Sequence, residues 1–298
     1  MHTSFAHLLD AARESFCRGT LYVVATPIGN LADISARALA VFEAADVVCA
    51  EDTRVTGQLL SAYGIRAKRL VSLREHNERG MAEQVVRWLG EGQIVAQVSD
   101  AGTPAVSDPG ARLVEAVRAA GHPVRPLPGA SAVIAALSAS GFTAPTFLFH
   151  GFLPPKSGER RKTLQQWLDA PHLTICYEAP HRIVDALQDI VAELGGERRV
   201  MIARELTKTF ETFHALPAAE LLEWVKADSN QQRGEIALIL DAAPAAAPGA
   251  DDMPAEALRV LQLLAAELPT KQAATLAAQI TGANRKQLYD HALKLKKD

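Results

Sequence analysis

The sequence predicts an α/β fold with a mostly parallel sheet in the first half of the chain. Between Thr20 and Phe152, short apolar runs typical of buried strands alternate with stretches in which apolar residues recur at the helical period. Polar loops containing Gly and Pro follow several of these runs, an order typical of parallel sheets. Of the 298 residues, 48% are hydrophobic and 22% are charged, which excludes a disordered or collagen-like chain.

Residues 19–152 are predicted to form the N-terminal α/β domain. Its apolar runs predict strands at 21–25, 46–50 and 93–98, and a helical pattern runs from Leu31 to Phe42. Asp108 and Pro109 are a favourable N-cap and first-turn pair, so they are predicted to begin the helix that runs through Val117. Ser131 is predicted to cap an Ala-rich helix.

Residues 153–241 are predicted to form a smaller α/β domain with mixed strand directions. The apolar and alternating patterns predict strands at 173–177, 200–203, 209–214 and 236–240. Helices are predicted at 181–194 and 218–225.

The two ends of the chain differ from these domains in composition. Residues 1–18 are predicted as an N-terminal extension, for which a disordered conformation is considered. Residues 242–253 are predicted as a Pro/Ala/Gly linker, and residues 254–298 as a helical tail. The tail's three helical stretches, near 254–267, 270–281 and 284–296, resemble a helix-turn-helix, with Thr270 and Asn284 as N-caps and Gly282 in a turn. Three-helix packing alone produces the same pattern.

Charge and composition exclude several classes of protein. The formal charge of −3 argues against a uniformly basic protein that coats nucleic acid. The three cysteines stand far apart, which disfavours a disulfide scaffold or zinc framework, and no metal is expected. Acidic and basic residues interrupt the first 18 positions, and no apolar run is long enough for a membrane span. These features predict a soluble, cytoplasmic protein.

Three polar loops form a candidate binding site. They cover residues 26–30, 100–104 and 128–131, and each is predicted to follow an apolar strand. Ligands of open α/β sheets bind beyond the carboxyl ends of strands, where loop amides and helix N-termini converge. None of the three contains a dinucleotide-binding, P-loop or nucleophile-elbow motif. Each alone is compatible with an ordinary turn, but together they favour a shared site.

Four segments carry a resemblance to a known family. They are LYVVATPIGNLADI at 21–34, AEDTR at 50–54, SDAGTP at 99–104 and ARELTK at 203–208. In this order they resemble the RNA-methylating members of the tetrapyrrole methylase-like superfamily, the class III methyltransferases. Asn30 stands where many tetrapyrrole methylases carry an Asp, and this difference favours the RNA-methylating group.

The resemblance implies a two-domain fold with a cofactor cleft between the domains, followed by the small helical tail. It implies a homodimer that binds S-adenosylmethionine in that cleft. It also implies 2′-O-methylation of a cytidine ribose in the decoding region of small-subunit ribosomal RNA, as free RNA or within the 30S particle.

The same resemblance implies site residues wherever the sequence matches the motifs of the family. The implied cofactor-binding residues are Pro27, Asp100, Ala101, Gly102, Thr103, Pro104, Ser131, Ala132 and Tyr177. Candidates for catalysis are Asn30, Glu178, Arg204, Glu205 and Lys208, and the sequence does not choose a general base among them. Phosphate contacts are predicted for Arg54, Arg204, Lys156, Arg160, Arg161 and Lys162.

Structural roles compete with several of these assignments. Asp100 could fix its own loop in an Asx-turn, and Glu51, Asp52 and Arg54 could form a local ion-pair cluster. The basic run at 156–162 could be an ordinary solvated surface.

Two other functions remain open: a small-molecule methyltransferase of the tetrapyrrole type, and a non-catalytic RNA-binding assembly factor. The tail from residue 253 carries seven Lys and Arg against four acidic residues, so basic charge is local, which suits an enzyme that holds one RNA site.

Overall fold

The computed structural model describes residues 5–244 and 255–295. The chain divides into two compact units, Met1–Ala243 and Pro244–Asp298. The first unit contains two five-stranded sheets, and the second contains helices. Within the described ranges, no helix is both long and apolar enough to cross a membrane.

The first sheet is entirely parallel and has the strand order β3-β2-β4-β1-β5. Its strands are β1 Leu21–Val24, β2 Val47–Ala50, β3 Leu70–Ser72, β4 Val95–Val98 and β5 Val124–Leu127. The helices of this half are α1 Phe5–Arg13, α2 Ala36–Ala44, α3 Thr53–Ala62, α4 Glu78–Gly90, α5 Ala111–Ala119 and α6 Ala132–Ser138. Because all strands run in one direction, the loops that follow β1, β2 and β4 lie at the same edge of the sheet.

The second sheet has mixed directions and the order β6-β7-β10-β8-β9. Its strands are β6 Phe147–Phe152, β7 Leu173–Glu178, β8 Arg199–Arg204, β9 Thr212–Pro217 and β10 Ile236–Leu240. Its helices are α7 Ser157–Gln165, α8 Ile183–Leu194 and α9 Ala218–Ala227. Only β6 and β7 pair in parallel, and the other neighbours are antiparallel. Short 3₁₀ helices lie at Leu31–Asp33, Glu75–Asn77, Pro180–Arg182 and Ser229–Gln232.

Helix α6 joins the two sheets. Its residues Val133 and Ala136 are buried in one apolar cluster with Ile175, Met201 and Ile239 of the second sheet. Alternate residues of the same strands point to the opposite face, where they pack against α7, α8 and α9. The loops of the first sheet therefore face the second sheet across a shared core.

The N-terminus of α5 corrects the prediction that Asp108 caps this helix. The N-cap position is Gly110, and the buried carboxylate of Glu78 on α4 takes the capping role. Glu78 Oε1 accepts backbone hydrogen bonds from Gly110, Arg112 and Leu113 at 3.0, 2.9 and 3.2 Å. A distant carboxylate thus satisfies the amides that a local N-cap normally satisfies, and the Asp108 side chain is not needed for the helix.

Helix α1 corrects the disordered conformation considered for the N-terminal extension. Residues 5–13 are helical, and Arg13 bridges Asp10 on its own helix to Glu43 on α2. Residues 1–4 lie outside the described ranges, as does the predicted linker from residue 245 onward.

The second unit contains three helices, α10 Ala255–Glu267, α11 Thr270–Thr281 and α12 Arg285–Leu295. Their buried residues form a small core of Ala and Leu side chains: Ala257, Leu261, Ala273, Ala274, Ala277, Leu288 and Ala292. Small side chains allow such short helices to pack closely.

The predicted caps and turn of this unit agree with the structure except at the start of α11. Gly282 ends α11 with φ of 72°, in the left-handed region that glycine adopts readily. Asn284 Oδ1 accepts a hydrogen bond from the amide of Lys286 at 2.9 Å, as the predicted N-cap should. Pro269 occupies the N-cap of α11, and Thr270 is its first helical residue.

Replacing Glu78 with Ala should destabilise the first unit by about 1–3 kcal/mol, because three amides at the start of α5, two of them in buried hydrogen bonds, lose their acceptor. Urea unfolding measures this change. Glu83→Ala, an exposed position on the same helix, is the matched control and should change stability by less than about 0.5 kcal/mol. Equal effects of the two substitutions would contradict the capping role.

Candidate active site

A cavity of about 350 Å³ lies where the loops of the first sheet meet the second sheet. Its volume lies in the range of small-molecule sites, roughly 300–1,000 Å³. The loops after β1 and β4 and the start of α6 form one wall, and β7, β8 and β10 form the other. The lining residues are Ile28, Ala101, Gly102, Thr103, Val106, Ser107, Asp108, Ser131, Ala132, Phe152, Tyr177, Glu178, Ala179, Pro180, Ala203, Leu206, Gly234, Glu235, Ile236 and Ala237.

Backbone hydrogen bonds hold the three loops together. Thr26 and Gly102 exchange two of them, at 2.9 and 3.0 Å, in an antiparallel bridge. Thr103 Oγ1 donates to the carbonyl of Ala130 at 3.0 Å and links the second loop to the third. The loops therefore form one connected wall rather than three independent turns.

Two glycines of these loops permit close approach. A Cβ at Gly129 would lie 2.8 Å from the Cβ of Ala25, so only glycine brings the third loop against β1. A Cβ at Gly29 would lie 2.5 Å from Cγ of Lys208, so the first loop packs on the segment that follows β8. These contacts give a physical reason for glycine at the two positions.

The structure brings together six of the nine residues assigned to cofactor binding. Those that line the cavity are Ala101, Gly102, Thr103, Ser131, Ala132 and Tyr177. Pro27 and Pro104 belong to the same loops without lining it. The Asp100 carboxylate is engaged elsewhere, since its Oδ1 accepts the amide of Asp52 at 2.9 Å. This bond joins the ends of β2 and β4, a structural role different from the Asx-turn considered for Asp100.

Glu178 lies beside the cavity at the end of β7, but its side chain is on the strand face opposite to Tyr177. Its side chain is buried, and Oε1 accepts hydrogen bonds from Ala179 N at 2.7 Å and Arg182 Nε at 2.8 Å. Its Oε2 is buried without a hydrogen-bond partner. The side chain has no accessible surface and pairs with Arg182, so it holds the start of α8 and is not open to a ligand in the cavity.

Tyr177 lies beside Glu178 on β7 and supplies aromatic surface. Its ring makes edge contacts with Phe149 and Phe152 at centroid distances of 5.1 and 5.4 Å. Burial, and then the negative charge of Asp108, raise the pKa of Tyr177 to about 12, while a hydrogen bond from Val133 opposes the shift. The phenol therefore stays protonated at neutral pH and can act as a donor.

Arg204 is not available to hold phosphate, which corrects that prediction. The side chain is buried and donates to Gln231 Oε1 at 3.1 Å, Phe210 O at 2.9 Å and Thr212 Oγ1 at 3.1 Å. These bonds fix the hairpin between β8 and β9. With its donors occupied by protein acceptors, Arg204 supports the loop and does not face the cavity.

Glu205 and Lys208 form an ion pair beside the cavity, and neither lines it. Lys208 Nζ lies 2.8 Å from Glu205 Oε1 and 3.1 Å from Glu235 Oε2. Burial tends to raise the pKa of Glu205, but hydrogen bonds from Lys208 and from the amide of Glu235 outweigh it and lower that pKa. Glu205 is therefore a weak base, which disfavours it for proton transfer.

Asn30 also has a structural role. Its Oδ1 accepts the amide of Ala32 at 3.0 Å and caps the first 3₁₀ helix. Its own amide donates to Thr207 Oγ1 at 3.1 Å, a further link between the first loop and the segment after β8.

The basic run on α7 is largely neutralised, which corrects part of the predicted RNA contact. Arg160 is buried and donates from Nε to Asp189 Oδ2 at 2.7 Å, so it holds α7 on α8. Arg161 pairs with Glu193. Lys156 lies 3.6 Å from Glu159, and Lys162 is exposed. Arg161 and Lys156 are thus exposed but paired, and among the described residues Lys162 is the cation of this run without a salt bridge.

A second, polar cleft of about 810 Å³ adjoins the cavity and was not predicted from the sequence. It lies beyond the ends of β2 and β4. Its lining residues are Glu51, Asp52, Arg54, Arg74, Glu75, His76, Glu78, Asp100, Ser107, Asp108, Pro109, Gly110, Ala111 and Arg112. No three His, Cys, Asp or Glu side chains of the described ranges are grouped as a metal ion would require.

Two neighbouring carboxylates of this polar cleft have pKa values shifted in opposite directions. Arg54 holds the pKa of Asp52 well below its usual range, through side-chain bonds of 3.1 and 2.7 Å and a backbone bond. Burial raises the pKa of Glu51, with further contributions from Asp108 and Asp100. Asp52 and Arg54 thus form the local ion pair considered from the sequence, and Glu51 stays outside it.

Comparisons with known proteins place this geometry in a family. Residues 20–222 match the sequence model described as Tetrapyrrole (Corrin/Porphyrin) Methylases, and residues 251–296 match the RsmI C-terminal HTH domain. A protein named ribosomal RNA small subunit methyltransferase I, from Neisseria meningitidis serogroup B, is 57% identical over 98% of this chain and 99% of its own. The protein of that name from Escherichia coli O157:H7 is 53% identical, over 93% of this chain and 95% of its own.

Solved structures agree on the fold. Two structures of uroporphyrin-III C-methyltransferase from Thermus thermophilus superpose with TM-scores of 0.54 and 0.51, at 20% and 18% identity. They cover 75% and 74% of this chain and 94% and 97% of their own, and the second is a complex with S-adenyl homocysteine. The chain therefore belongs to the tetrapyrrole (corrin/porphyrin) methylase family and, within it, to the ribosomal RNA small subunit methyltransferase I group.

Proposed function

We propose that this protein transfers a methyl group from S-adenosylmethionine to the 2′-hydroxyl of a cytidine in small-subunit ribosomal RNA. Its family makes it a methyltransferase with S-adenosylmethionine as cofactor. The RNA acceptor is supported by relatives whose names state that they modify small-subunit ribosomal RNA. The choice of cytidine as the target nucleotide and of the 2′-oxygen as the acceptor atom rests on the sequence resemblance.

The cavity supports the cofactor assignment. One observation carries the fit: the loops after β1 and β4, the start of α6 and the second sheet enclose a cavity of about 350 Å³, a size suited to a small-molecule ligand. Loop residues 101–103, Ser131 and Ala132 lie opposite β7 and would hold the cofactor together with Tyr177. Pro27, Asp100 and Pro104 would act indirectly by holding those loops in place.

The protein's residues contribute mainly by positioning the methyl donor relative to the acceptor oxygen. When bound, the cofactor supplies an electrophilic methyl group on a sulfonium. The cavity walls must hold that methyl in line with the attacking oxygen, and well-oriented groups gain on the order of 7–11 kcal/mol from positioning. The apolar side chains of Ile28 and Leu206 exclude water from one side of the cavity.

We also propose contacts with RNA and with a second copy of the chain. The lysines Lys156 and Lys162 and the exposed Arg54 would contact phosphate, whereas Arg160 and Arg204 would not. The edge strand β6 exposes Phe147 and Leu148, an apolar surface that a homodimer would cover. RNA within the 30S particle is included in the proposed substrate.

Filling the cavity should prevent cofactor binding. Ala132→Leu adds bulk to a lining residue and should weaken S-adenosylhomocysteine binding at least about tenfold, or about 1.4 kcal/mol. Titration calorimetry measures the change. Ala139→Leu, at the exposed C-terminal end of the same helix, is the control and should bind like the unmodified protein. Unchanged binding by Ala132→Leu would contradict the cavity assignment.

The acceptor can be identified directly. Incubation with methyl-labelled S-adenosylmethionine and either small subunits, naked 16S RNA or a porphyrinoid should label only the RNA-containing samples. Nuclease digestion followed by mass spectrometry should recover 2′-O-methylcytidine. Label on a base contradicts the 2′-oxygen assignment, label on the porphyrinoid supports a tetrapyrrole-type enzyme, and absence of cofactor binding supports a non-catalytic assembly factor.

Phosphate contacts by the lysines of α7 should appear in the salt dependence of RNA binding. Lys156→Ala combined with Lys162→Ala should weaken binding and reduce the slope of log K against log salt by about 1 per lost contact. Lys226→Ala, an exposed lysine on α9 paired with Glu223, should leave the slope unchanged. A salt-independent affinity of the unmodified protein contradicts electrostatic binding altogether.

A further inference from the structure

The cavity and the polar cleft meet at two residues. Ser107 and Asp108 line both, and Asp108 is the only titratable side chain of the described ranges that does so. In-line methyl transfer needs the acceptor oxygen next to the donor methyl group. If the cofactor occupies the cavity, an acceptor in the polar cleft reaches it at this junction.

Asp108 lies at the junction, and its side chain does not cap α5. Glu78 caps α5, so the Asp108 carboxylate is not occupied by helix amides. Ala105 and Ser107 adopt φ of 66° and 63°, in the left-handed region that side-chain-bearing residues rarely enter. Such strain persists where the surrounding structure imposes it and is concentrated at functional sites.

Groups from several elements face the Asp108 carboxyl. Ser99 and Asp100 follow β4, Glu51 follows β2, and Tyr177 lies on β7 of the second sheet. Burial raises the pKa of Asp108, Asp100 raises it further, and a hydrogen bond from Ser99 opposes the shift. Asp108 is therefore a stronger base than an exposed aspartate. The neighbours named above are carboxylates and hydroxyls, and none of them is a cation.

The polar cleft has the chemistry of a nucleotide site. Arg112 is exposed on its wall and forms no ion pair among the described residues, so its guanidinium is free for a phosphate. Glu51 offers carboxylate oxygens, the type of acceptor that pairs with the exocyclic amino group of cytosine.

We propose that the polar cleft holds the acceptor nucleotide and that Asp108 accepts the proton of its 2′-hydroxyl; this inference rests on the proposed function. As the 2′-oxygen bonds to the methyl carbon, the carbon–sulfur bond breaks and its electron pair stays on sulfur, which becomes neutral. The hydroxyl proton passes to the Asp108 carboxylate and from there to solvent. No other reactant is required.

Asp108→Asn tests the base because it preserves shape and removes basicity. In single-turnover reactions with labelled cofactor and small-subunit RNA, the rate should fall about 10²–10⁴-fold. Calorimetric binding of S-adenosylhomocysteine and thermal unfolding should stay unchanged. Asp185→Asn, an exposed carboxylate on α8 that lines neither cavity, is the control and should keep the full rate.

The pH profile separates a base from a merely structural residue. Protonation of Asp108 should abolish activity, so the unmodified rate should fall as pH drops through a pKa above that of an ordinary aspartate, about 3.9. Asp108→Asn should remove this fall, and Asp108→Glu should restore part of the rate. Carboxyl-carbon NMR of the free protein should show one aspartate, absent in Asp108→Asn, with the raised pKa.

Other outcomes would overturn the inference. An unchanged rate in Asp108→Asn contradicts the role of the carboxylate. If that variant does not fold, a flat single-turnover rate of the unmodified protein between about pH 8 and pH 4 contradicts it equally. Arg112→Ala should weaken RNA binding without altering cofactor binding, and unchanged RNA affinity contradicts the acceptor site. An unmodified protein that labels no RNA overturns the proposed function itself, and this inference falls with it.

Discussion

The paired backbone hydrogen bonds between Thr26 and Gly102 are the interaction on which the site depends. Parallel strands bring their carboxyl ends to one edge, but adjacent loops at an edge do not by themselves form a wall. The bridge fixes the loop after β1 against the loop after β4, and the Thr103 hydroxyl then holds the start of α6. Because α6 is buried against the second sheet, the same bonds also determine how the cavity faces β7, β8 and β10.

Several cations of the recognised motifs bind other parts of the protein instead of a ligand. Arg160, Arg204 and Lys208 all lie in motifs that could bind phosphate, and each is paired with protein acceptors. A buried guanidinium without such partners would be costly, so these residues hold helices and loops together instead of facing a ligand. Other cations remain exposed, among them Lys162 on α7 and Arg112 at the polar cleft. An enzyme that recognises one RNA site needs only such local contacts.

Helix capping connects the fold to the proposed chemistry. Asp108 has the sequence context of an N-cap, and a helix whose amides are already satisfied by Glu78 does not require it. The carboxylate is then placed where an apolar-walled cavity and a polar cleft meet. In the proposed arrangement, the cofactor in the cavity and the RNA acceptor in the polar cleft lie on opposite sides of Asp108. The left-handed backbone at Ala105 and Ser107 is the local conformational cost of that placement.

By itself, the sequence determined the α/β class, the mixed second sheet and the helical end of the chain, because local periodicity and capping residues such as Asn284 set these elements. Its motifs also located the loops of the cavity. The short strand β3 and strand β5, with its exposed Arg125 and Pro126, lack a clear apolar pattern. Strand β3 was not predicted, and for β5 a strand was expected before residue 128 without bounds. Which charges are free was decided only by tertiary structure. Glu78 caps α5 in place of Asp108, although it lies 30 residues earlier in the chain. Asp189 pairs with Arg160, although it lies 29 residues later. Contacts over such separations leave no local sequence pattern.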